Sequence, residues 1–221
     1  MLTDALTPEQ QAVVTHPFGQ HARVLAVAGS GKTTTMVYRI DYLVRHKHVN
    51  PERIRVLMFN SLARRQFKAK LDEIGLPQNL QPQVHTFHSF AYQLIQDMMS
   101  AGLLPGTLEF WVDDKEEIRL RYVHLAIQNL VSCGKIPLDS VDPDDALEAI
   151  GLWKGSLIPP LPARAGYRGN PYIPLVYQEF ELLRNQKGGV TFDDFIPVAV
   201  GILEPEQPIG NKWRSQTDFV I

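Results

Sequence analysis

The chain has 221 residues, of which 44% are hydrophobic, so it can bury one ample core or one core with a satellite subdomain. Its net charge of −2 predicts no general attraction for polyanions, but residues 1–70 carry 11 lysines and arginines against 4 acids, whereas residues 71–221 carry 11 against 20. A basic binding surface and a solvated basic helix face explain the basic end equally well.

Cysteine content and hydropathy limit the compartment. The single cysteine, Cys133, excludes an internal disulfide and is typical of a reducing environment. The first residues lack the basic and apolar regions of a signal peptide, and no apolar run approaches the roughly 20 residues that cross a bilayer. We therefore expect a cytoplasmic protein without a membrane partner.

A short helix is predicted to begin after Thr7. Thr7 is a good helix cap, Pro8 suits the first helical position, and Gln10 lies three residues past the cap. The amide of Gln10 can donate and accept, which suits the edge of adenine, but it can equally bond back to the Thr7 backbone in a capping box. Both roles stay open at this point.

A glycine-rich turn follows the apolar run Val24–Val27, which is predicted to be a strand. The turn reads Ala28-Gly29-Ser30-Gly31-Lys32-Thr33, and apolar residues then recur at helical spacing. Strand, turn and helix in this order are typical of a phosphate-binding loop, in which backbone N–H groups and a helix N-terminus face the phosphate oxygens. In such a loop Lys32 reaches the β- and γ-phosphates, and the Thr33 hydroxyl completes a Mg²⁺ shell.

One residue of the loop departs from the strict motif, and one residue of the next helix carries a separate expectation. Ala26 stands where the strict motif has its first glycine, so a glycine turn with an incidental lysine is the alternative. Arg39 lies on the helix that follows the loop, and we expect it to face solvent in an ion pair.

Two more transitions from strand to helix come next. Ile54–Phe59 is predicted to be a buried strand followed by a basic helix, and Val84–Phe87 is a strand that leads into another helix. The alternation predicts a parallel α/β sheet with ligands at the carboxyl ends of its strands. Besides the glycine turn, those ends carry Phe59–Ser61 and Thr86–Ser89.

The pattern becomes helical beyond residue 101, and we interpret 101–189 as an all-helical insertion with its own core. Within it, a helix starting at Asp142-Pro143 is expected to end at Gly151, and residues 155–174 are expected to form a loop. Thr191–Asp194 should start a further helix that Pro197 kinks or ends. A buried strand should begin at Phe219.

Several separated motifs together resemble the UvrD/Rep/PcrA group of superfamily 1 DNA helicases. Leu6-Thr7-Pro8-Glu9-Gln10 is similar to the family's Q motif, and Ala28–Thr33 is similar to its phosphate loop. Phe59–Arg64 resembles motif Ia, chiefly at Phe59 and Ala63, and Thr86-Phe87-His88-Ser89 is an intact motif Ib.

The resemblance covers the whole chain and implies a fold. It implies a RecA-like P-loop ATP-binding domain begun in residues 1–100, a helical subdomain inserted at 101–189, and a return to the first domain in 190–221. In the family, a strand like that at Phe219 continues into the acidic Walker B motif. The resemblance therefore implies a truncated protein that lacks the C-terminal helicase half.

The resemblance also implies ligands and contacts. ATP would bind at the loop with Mg²⁺ on Thr33, and the residues implied for nucleotide binding are Gln10, Ala28, Gly29, Ser30, Gly31, Lys32, Thr33 and Thr34. Single-stranded DNA would stack on Phe59 and receive hydrogen bonds from Asn60, Thr86, His88 and Ser89. Ordinary core packing is the alternative for Phe59 and for its counterpart Phe87.

The resulting hypothesis is the ATP-binding part of an ATP-dependent DNA helicase that translocates on single-stranded DNA. The fragment alone is expected to bind Mg-ATP weakly, without efficient hydrolysis, because phosphoryl transfer needs further carboxylates and arginines. The first alternative is a module that binds single-stranded nucleic acid or a partner and never hydrolyses ATP. The second is a small P-loop kinase, which would need Asp193 and Asp194 to hold the metal.

Overall fold

The computed structural model describes residues 6–111, 116–160 and 168–221. These residues form two compact units, one extending to Phe90 and including Asn211–Ile221, the other comprising Ala91–Gly210. Among them no helix combines the length and the apolar character needed to cross a membrane. The sequence-based division at residues 100 and 189 stays a prediction.

The first unit contains a small parallel sheet with helices. Its helices are α1 (Pro8–Val14), α2 (Lys32–Asp41), α3 (Ser61–Glu73), the start of α4 (Phe87–Ser100) and α9 (Asn211–Ser215), and its strands are β1 (Ile54–Met58), β2 (Gln83–Thr86) and β5 (Phe219–Val220). A turn of π-helix, Tyr42–His46, extends α2. The core comprises buried apolar residues of α2, β1, α3 and β2, among them Val37, Ile40, Leu43, Ile54, Val56, Phe67, Leu71 and Val84.

The strand order is β2-β1-β5, and both pairs are parallel. Met58 of β1 lies opposite Thr86 of β2, so the residues that follow these two strands leave the sheet side by side. The α/β class with a parallel sheet is thus observed, and its strands at Ile54, Gln83 and Phe219 agree with the sequence-based prediction to within about two residues.

The predicted strand Val24–Val27 is not formed. Leu25 and Val27 are 79% and 78% exposed. The carbonyl oxygens of Ala26 and Val27 accept hydrogen bonds from the Lys32 ammonium rather than from a neighbouring strand. Residues with β propensity form a strand only where another strand pairs with them, and within the described ranges no strand pairs with this segment.

The second unit is mainly helical. It contains most of α4, then α5 (Glu116–Ser132), α6 (Pro143–Gly155), α7 (Ile173–Lys187) and α8 (Phe195–Leu203). Its core lies between α5, α6 and α7 and includes Val123, Ala126, Leu130, Ile150, Trp153, Val176, Tyr177 and Phe180. The predicted loop 155–174 lies partly outside the described residues, at 161–167.

Two sequence-based details of this unit were wrong, and a third was wrong in part. The stretch 101–189 is not all-helical, because β3 (Glu109–Trp111) pairs in parallel with β4 (Gly189–Thr191), where the Trp111 ring occupies the space that a Cβ on Gly189 would need. Gly151 lies inside α6 rather than at its end. Pro197 does not end the helix: it is the third residue of α8, where its missing N–H is not required, and the helix continues to Leu203, so that the kink stays a prediction.

Four charged side chains and one threonine of this unit form a buried or partly buried group that we term the Lys154 cluster: Lys154, Glu181, Arg184, Thr191 and Asp194. The Lys154 ammonium lies 2.6 Å from a Glu181 oxygen and 2.7 Å from an Asp194 oxygen, and its side chain is 3% exposed. Arg184 contacts both acids, and Thr191 donates to Asp194 from its backbone N–H and its hydroxyl. Asp194 is therefore held by the fold and is not available to a metal ion.

Candidate nucleotide site

The glycine turn has the backbone geometry of an anion-binding loop. Gly29 and Gly31 both have φ of +80°, a left-handed conformation that residues with a Cβ rarely adopt. Gly31 is the cap of this ten-residue helix α2, and it has no side chain that could bond to the first N–H groups of the helix. Those N–H groups and the positive end of the helix dipole favour a phosphate at this position.

Lys32 is exposed at the first position of α2. Its Nζ atom donates to the carbonyl oxygens of Ala26 at 2.8 Å and of Val27 at 2.6 Å. An ammonium group has three donors, so it can brace the loop with two and still offer one to an anion.

The other predicted loop residues differ in what they contact. The Ser30 hydroxyl donates to the Val27 carbonyl oxygen at 2.8 Å, and Ala28 and Thr33 are exposed. Thr34 accepts a hydrogen bond of 3.4 Å from the Lys70 ammonium of α3. Because Thr33 is exposed and adjacent to Lys32, a ligand can reach its side chain.

Gln10 performs the capping role and also contacts the loop. Its Oε1 atom accepts from the Thr7 backbone N–H at 2.9 Å, and its own backbone N–H donates to the Thr7 hydroxyl, which completes a capping box. Its Nε2 atom donates to the Ser30 carbonyl oxygen at 3.1 Å. The capping alternative is confirmed, and the same amide joins α1 to the glycine turn.

A pocket of about 290 Å³ lies between α1 and the turn. Its lining includes Thr7, Gln10 and Val13 on one side and Ala26 and Lys32 on the other. Apolar and polar residues therefore both line this cleft, with Lys32 among them, a combination suited to a flat polar ring joined to an anion.

One carboxylate lies at this pocket. Glu9 belongs to its lining, and the pKa of Glu9 is below its ordinary value because the carboxylate accepts hydrogen bonds from its own backbone N–H and from Thr7. Within the described ranges, no group of three histidine, cysteine or acidic residues is arranged to hold a metal ion. A divalent cation at this site would need oxygen ligands from the nucleotide itself.

The predicted DNA-contact residues lie where β1 and β2 end. Phe59 is 86% exposed, so core packing does not explain it, and Phe87 is 46% exposed. The Asn60 Oδ1 atom caps α3 by accepting from the Ala63 N–H at 2.8 Å. Because Met58 and Thr86 are register partners, the two motifs are brought together at one edge of the sheet.

Thr86 and Ser89 bond to each other at the start of α4. The Thr86 N–H donates to the Ser89 hydroxyl at 2.9 Å, and the Ser89 N–H donates to the Thr86 hydroxyl at 3.1 Å. His88 between them is half-buried. The two hydroxyls shape this turn, so a phosphate contact from either would add to an existing capping role.

Positive charge gathers beside this edge. The pKa of His85 on β2 lies below its ordinary value because burial, followed by the charges of Arg55, Arg64 and Lys68, disfavours the imidazolium. These cations produce a field that attracts a polyanion to the strand ends.

Arg39 was expected at the surface and is instead 7% exposed. Its Nη1 atom donates to the Val14 carbonyl oxygen at 2.8 Å, so it joins α2 to the end of α1. The sequence did contain a signal for this, since Arg39 is three residues after Met36 and four before Leu43, on the apolar stripe of the helix.

Comparisons with known proteins identify the family of the chain. The family profile of the UvrD/REP helicase N-terminal domain matches residues 6–221. A probable DNA helicase II homologue of Mycoplasma capricolum is 26% identical over the whole chain, as is the ATP-dependent DNA helicase UvrD1 of Mycobacterium leprae. The ATP-dependent DNA helicase Rep of Buchnera aphidicola is 22% identical over 90% of the chain. The chain spans 28–30% of the length of these three relatives.

Proposed function

The chain belongs to the UvrD/REP helicase N-terminal domain family, and on that premise we propose that it is the ATP-binding N-terminal part of an ATP-dependent DNA helicase that translocates on single-stranded DNA. The observation that carries this proposal is the geometry of the glycine turn. Two left-handed glycines lead into the uncapped start of α2, and the Lys32 ammonium lies beside them. Named relatives are described as ATP-dependent DNA helicases, which supports the same function.

The residues present fit a nucleoside triphosphate. The turn from Ala28 to Thr34 would hold the phosphates through backbone N–H groups, and Lys32 would donate to them from its remaining N–H. Gln10 borders the pocket and would meet the edge of the base. A Mg²⁺ ion would arrive with the nucleotide, take the Thr33 hydroxyl as one ligand, and supply charge neutralisation for phosphoryl transfer.

These residues alone would bind Mg-ATP weakly and hydrolyse it inefficiently. Of the described residues that line the pocket, Glu9 carries the one carboxylate, and it is exposed. Asp218, beside β5, is held by Arg53, whose Nε and Nη2 atoms each lie 2.6 Å from a carboxylate oxygen. We therefore assign the remaining carboxylates and arginines to a C-terminal helicase half, which the greater length of the relatives supports.

Single-stranded DNA would bind at the ends of β1 and β2. The exposed Phe59 ring offers a face for a base, and such stacking tolerates any sequence. Asn60, Thr86, His88 and Ser89 would contact phosphates nearby, where Arg64 and Lys68 add positive charge.

The test measures DNA binding and ATP turnover by the purified chain and by Lys32→Ala. We expect turnover near background in both proteins, and binding of a labelled single strand that responds to Mg-ATP in the parent but not in Lys32→Ala. DNA binding that ignores Mg-ATP and survives Lys32→Ala would favour a nucleic-acid module and contradict the proposal. DNA-stimulated turnover that Lys32→Ala abolishes would show that these 221 residues already complete the catalytic site.

A further inference from the structure

Arg39 lies on α2, is buried in the first unit, and has three aromatic rings close to its guanidinium group. Its guanidinium carbon lies 5.8 Å from the ring centroid of Phe18 and 6.0 Å from those of Tyr42 and Phe219. These distances are within the range of cation–π contacts. The three rings belong to different parts of the chain, and all three lie close to the same guanidinium group.

The same guanidinium holds the end of α1. Its hydrogen bond to the Val14 carbonyl oxygen, at 2.8 Å, reaches the last residue of that helix. Carbonyl oxygens at a helix C-terminus lack intrahelical partners and carry partial negative charge, so a buried cation is a favourable partner for them. Arg39 therefore fastens the C-terminal end of α1 to α2.

The opposite end of α1 is fastened by Gln10. Its Nε2 atom donates to the Ser30 carbonyl oxygen in the glycine turn at 3.1 Å, close to the first residue of α2. A seven-residue helix that is bonded at both ends to the same loop and helix has little freedom to rotate or slide. The two bonds together set where the Gln10 amide lies along the pocket wall.

We propose that Arg39 is a positioning residue that sets how much the nucleoside adds to the affinity of the pocket for a triphosphate, by holding α1 in place. Arg39 acts at a distance: it is absent from the pocket lining, whereas Thr7, Gln10 and Val13 of the α1 region belong to it. Loss of Arg39 would free the C-terminal end of α1 and misplace Gln10. The phosphate loop, braced by Lys32, would keep its own contacts. This inference rests on the proposed nucleotide-binding function.

The experiment compares two ligands that would bind the same phosphate loop, one with a nucleoside attached to its triphosphate and one without. The affinities for Mg-ATP and for Mg-tripolyphosphate are measured with the full chain. The proteins compared are the parent, Arg39→Met, Arg39→Lys, Gln10→Ala and the double variant that combines Arg39→Met with Gln10→Ala. Arg65→Met, at an exposed arginine of α3, is the matched control. Arg39→Met is expected to weaken Mg-ATP about tenfold, the scale of one lost charged hydrogen bond, and to leave tripolyphosphate within about twofold.

The double variant separates positioning from general damage. If Arg39 acts through Gln10, Arg39→Met adds almost no further loss in the Gln10→Ala background. Arg39→Lys keeps one donor for the Val14 carbonyl and is expected to restore part of the preference for ATP. If Arg39→Met fails to fold, as shown by its thermal unfolding, Arg39→Lys takes its place in the same cycle and is expected to show a smaller loss of the same kind.

Two results would overturn the inference in different ways. If the ratio of the two affinities is unchanged in the folded Arg39 variants, whether neither ligand or both ligands bind more weakly, Arg39 has only a structural role. Binding of both ligands that is insensitive to Lys32→Ala would contradict the nucleotide function itself, and the role of Arg39 would be lost with it.

Discussion

Two lysines, one in each unit, lie in contrasting environments. Lys32 is exposed, and in the described part of the chain its ammonium donates to two carbonyl oxygens of its own loop, at 2.8 and 2.6 Å. Lys154 is 3% exposed and lies between the carboxylates of Glu181 and Asp194. Each ammonium contacts two oxygen atoms, but that of Lys32 lies at the surface, where an anion can reach it, and that of Lys154 is enclosed between two opposite charges. Burial and the charge of the partners, not residue type, decide whether a lysine remains accessible to a ligand.

The largest effect is expected at the buried lysine. Lys154→Met removes a buried cation from between the buried carboxylate of Asp194 and the partly buried one of Glu181, and breaking a buried ion pair destabilises a protein by about 3–5 kcal/mol. The free energy of unfolding in urea measures this loss. Lys135→Met, at an exposed lysine of the same unit, should stay within about 0.5 kcal/mol of the parent. Equal stability of the two variants would contradict the structural role of the Lys154 cluster.

A smaller effect is expected at the exposed ring of Phe59. Phe59→Ala should weaken binding of single-stranded DNA by about 1–3 kcal/mol, because one stacked base is lost. The stability of the chain should not change, since the ring is 86% exposed. Fluorescence titration of a labelled single strand measures the affinity. Leu62→Ala removes a neighbouring exposed aliphatic side chain, and a loss as large as that of Phe59→Ala would argue against stacking.

The smallest effect concerns pH and Asp194. Burial alone would raise the pKa of Asp194, but the charges of Lys154 and Arg184 and the hydrogen bonds from Lys154 and Thr191 outweigh it and hold the pKa below its ordinary value of 3.8. The unfolded chain therefore takes up this proton first as pH falls. The stabilisation is present above about pH 4 and is lost on further acidification through the folded-state pKa.

Acid unfolding of two adjacent variants tests this assignment. One such group contributes a slope of at most about 1.4 kcal/mol per pH unit. Asp194→Asn should remove that slope below about pH 4, whereas Asp193→Asn, which loses only the half-exposed pair with Arg119, should keep it. Parallel pH profiles for the parent and Asp194→Asn would contradict the assignment.

Local chemistry in the sequence predicted the elements that depend on a few adjacent residues. The capping box at Thr7 and Gln10, the start of α2 after Gly31 and the cap of α3 at Asn60 all follow from residue types and spacing. The β-branched run at Ile54 also became a central strand, because strands pair with it on both sides.

Features that depend on distant partners were not predictable in the same way. Val24–Val27 has the composition of a strand, but its carbonyl groups bond to Lys32 instead. Asp194 was expected to be an acid at the start of a helix, and only the folded unit brings Lys154 to it across 40 residues of chain. Arg39 and Lys154 both lie on apolar helix stripes, so their positions, rather than their charge, carried the signal for burial.

The most direct test of the proposed nucleotide site is a calorimetric titration of Mg-ATP into the full chain and into Lys32→Ala. The free energy of unfolding of both proteins is measured in parallel. We predict weak binding by the parent, a loss of about tenfold or more in Lys32→Ala, and unfolding free energies that agree within about 0.5 kcal/mol. Equal Mg-ATP affinity in the two proteins, or a Lys32→Ala variant that is destabilised as strongly as Lys154→Met, would show that Lys32 serves the fold and not a nucleotide.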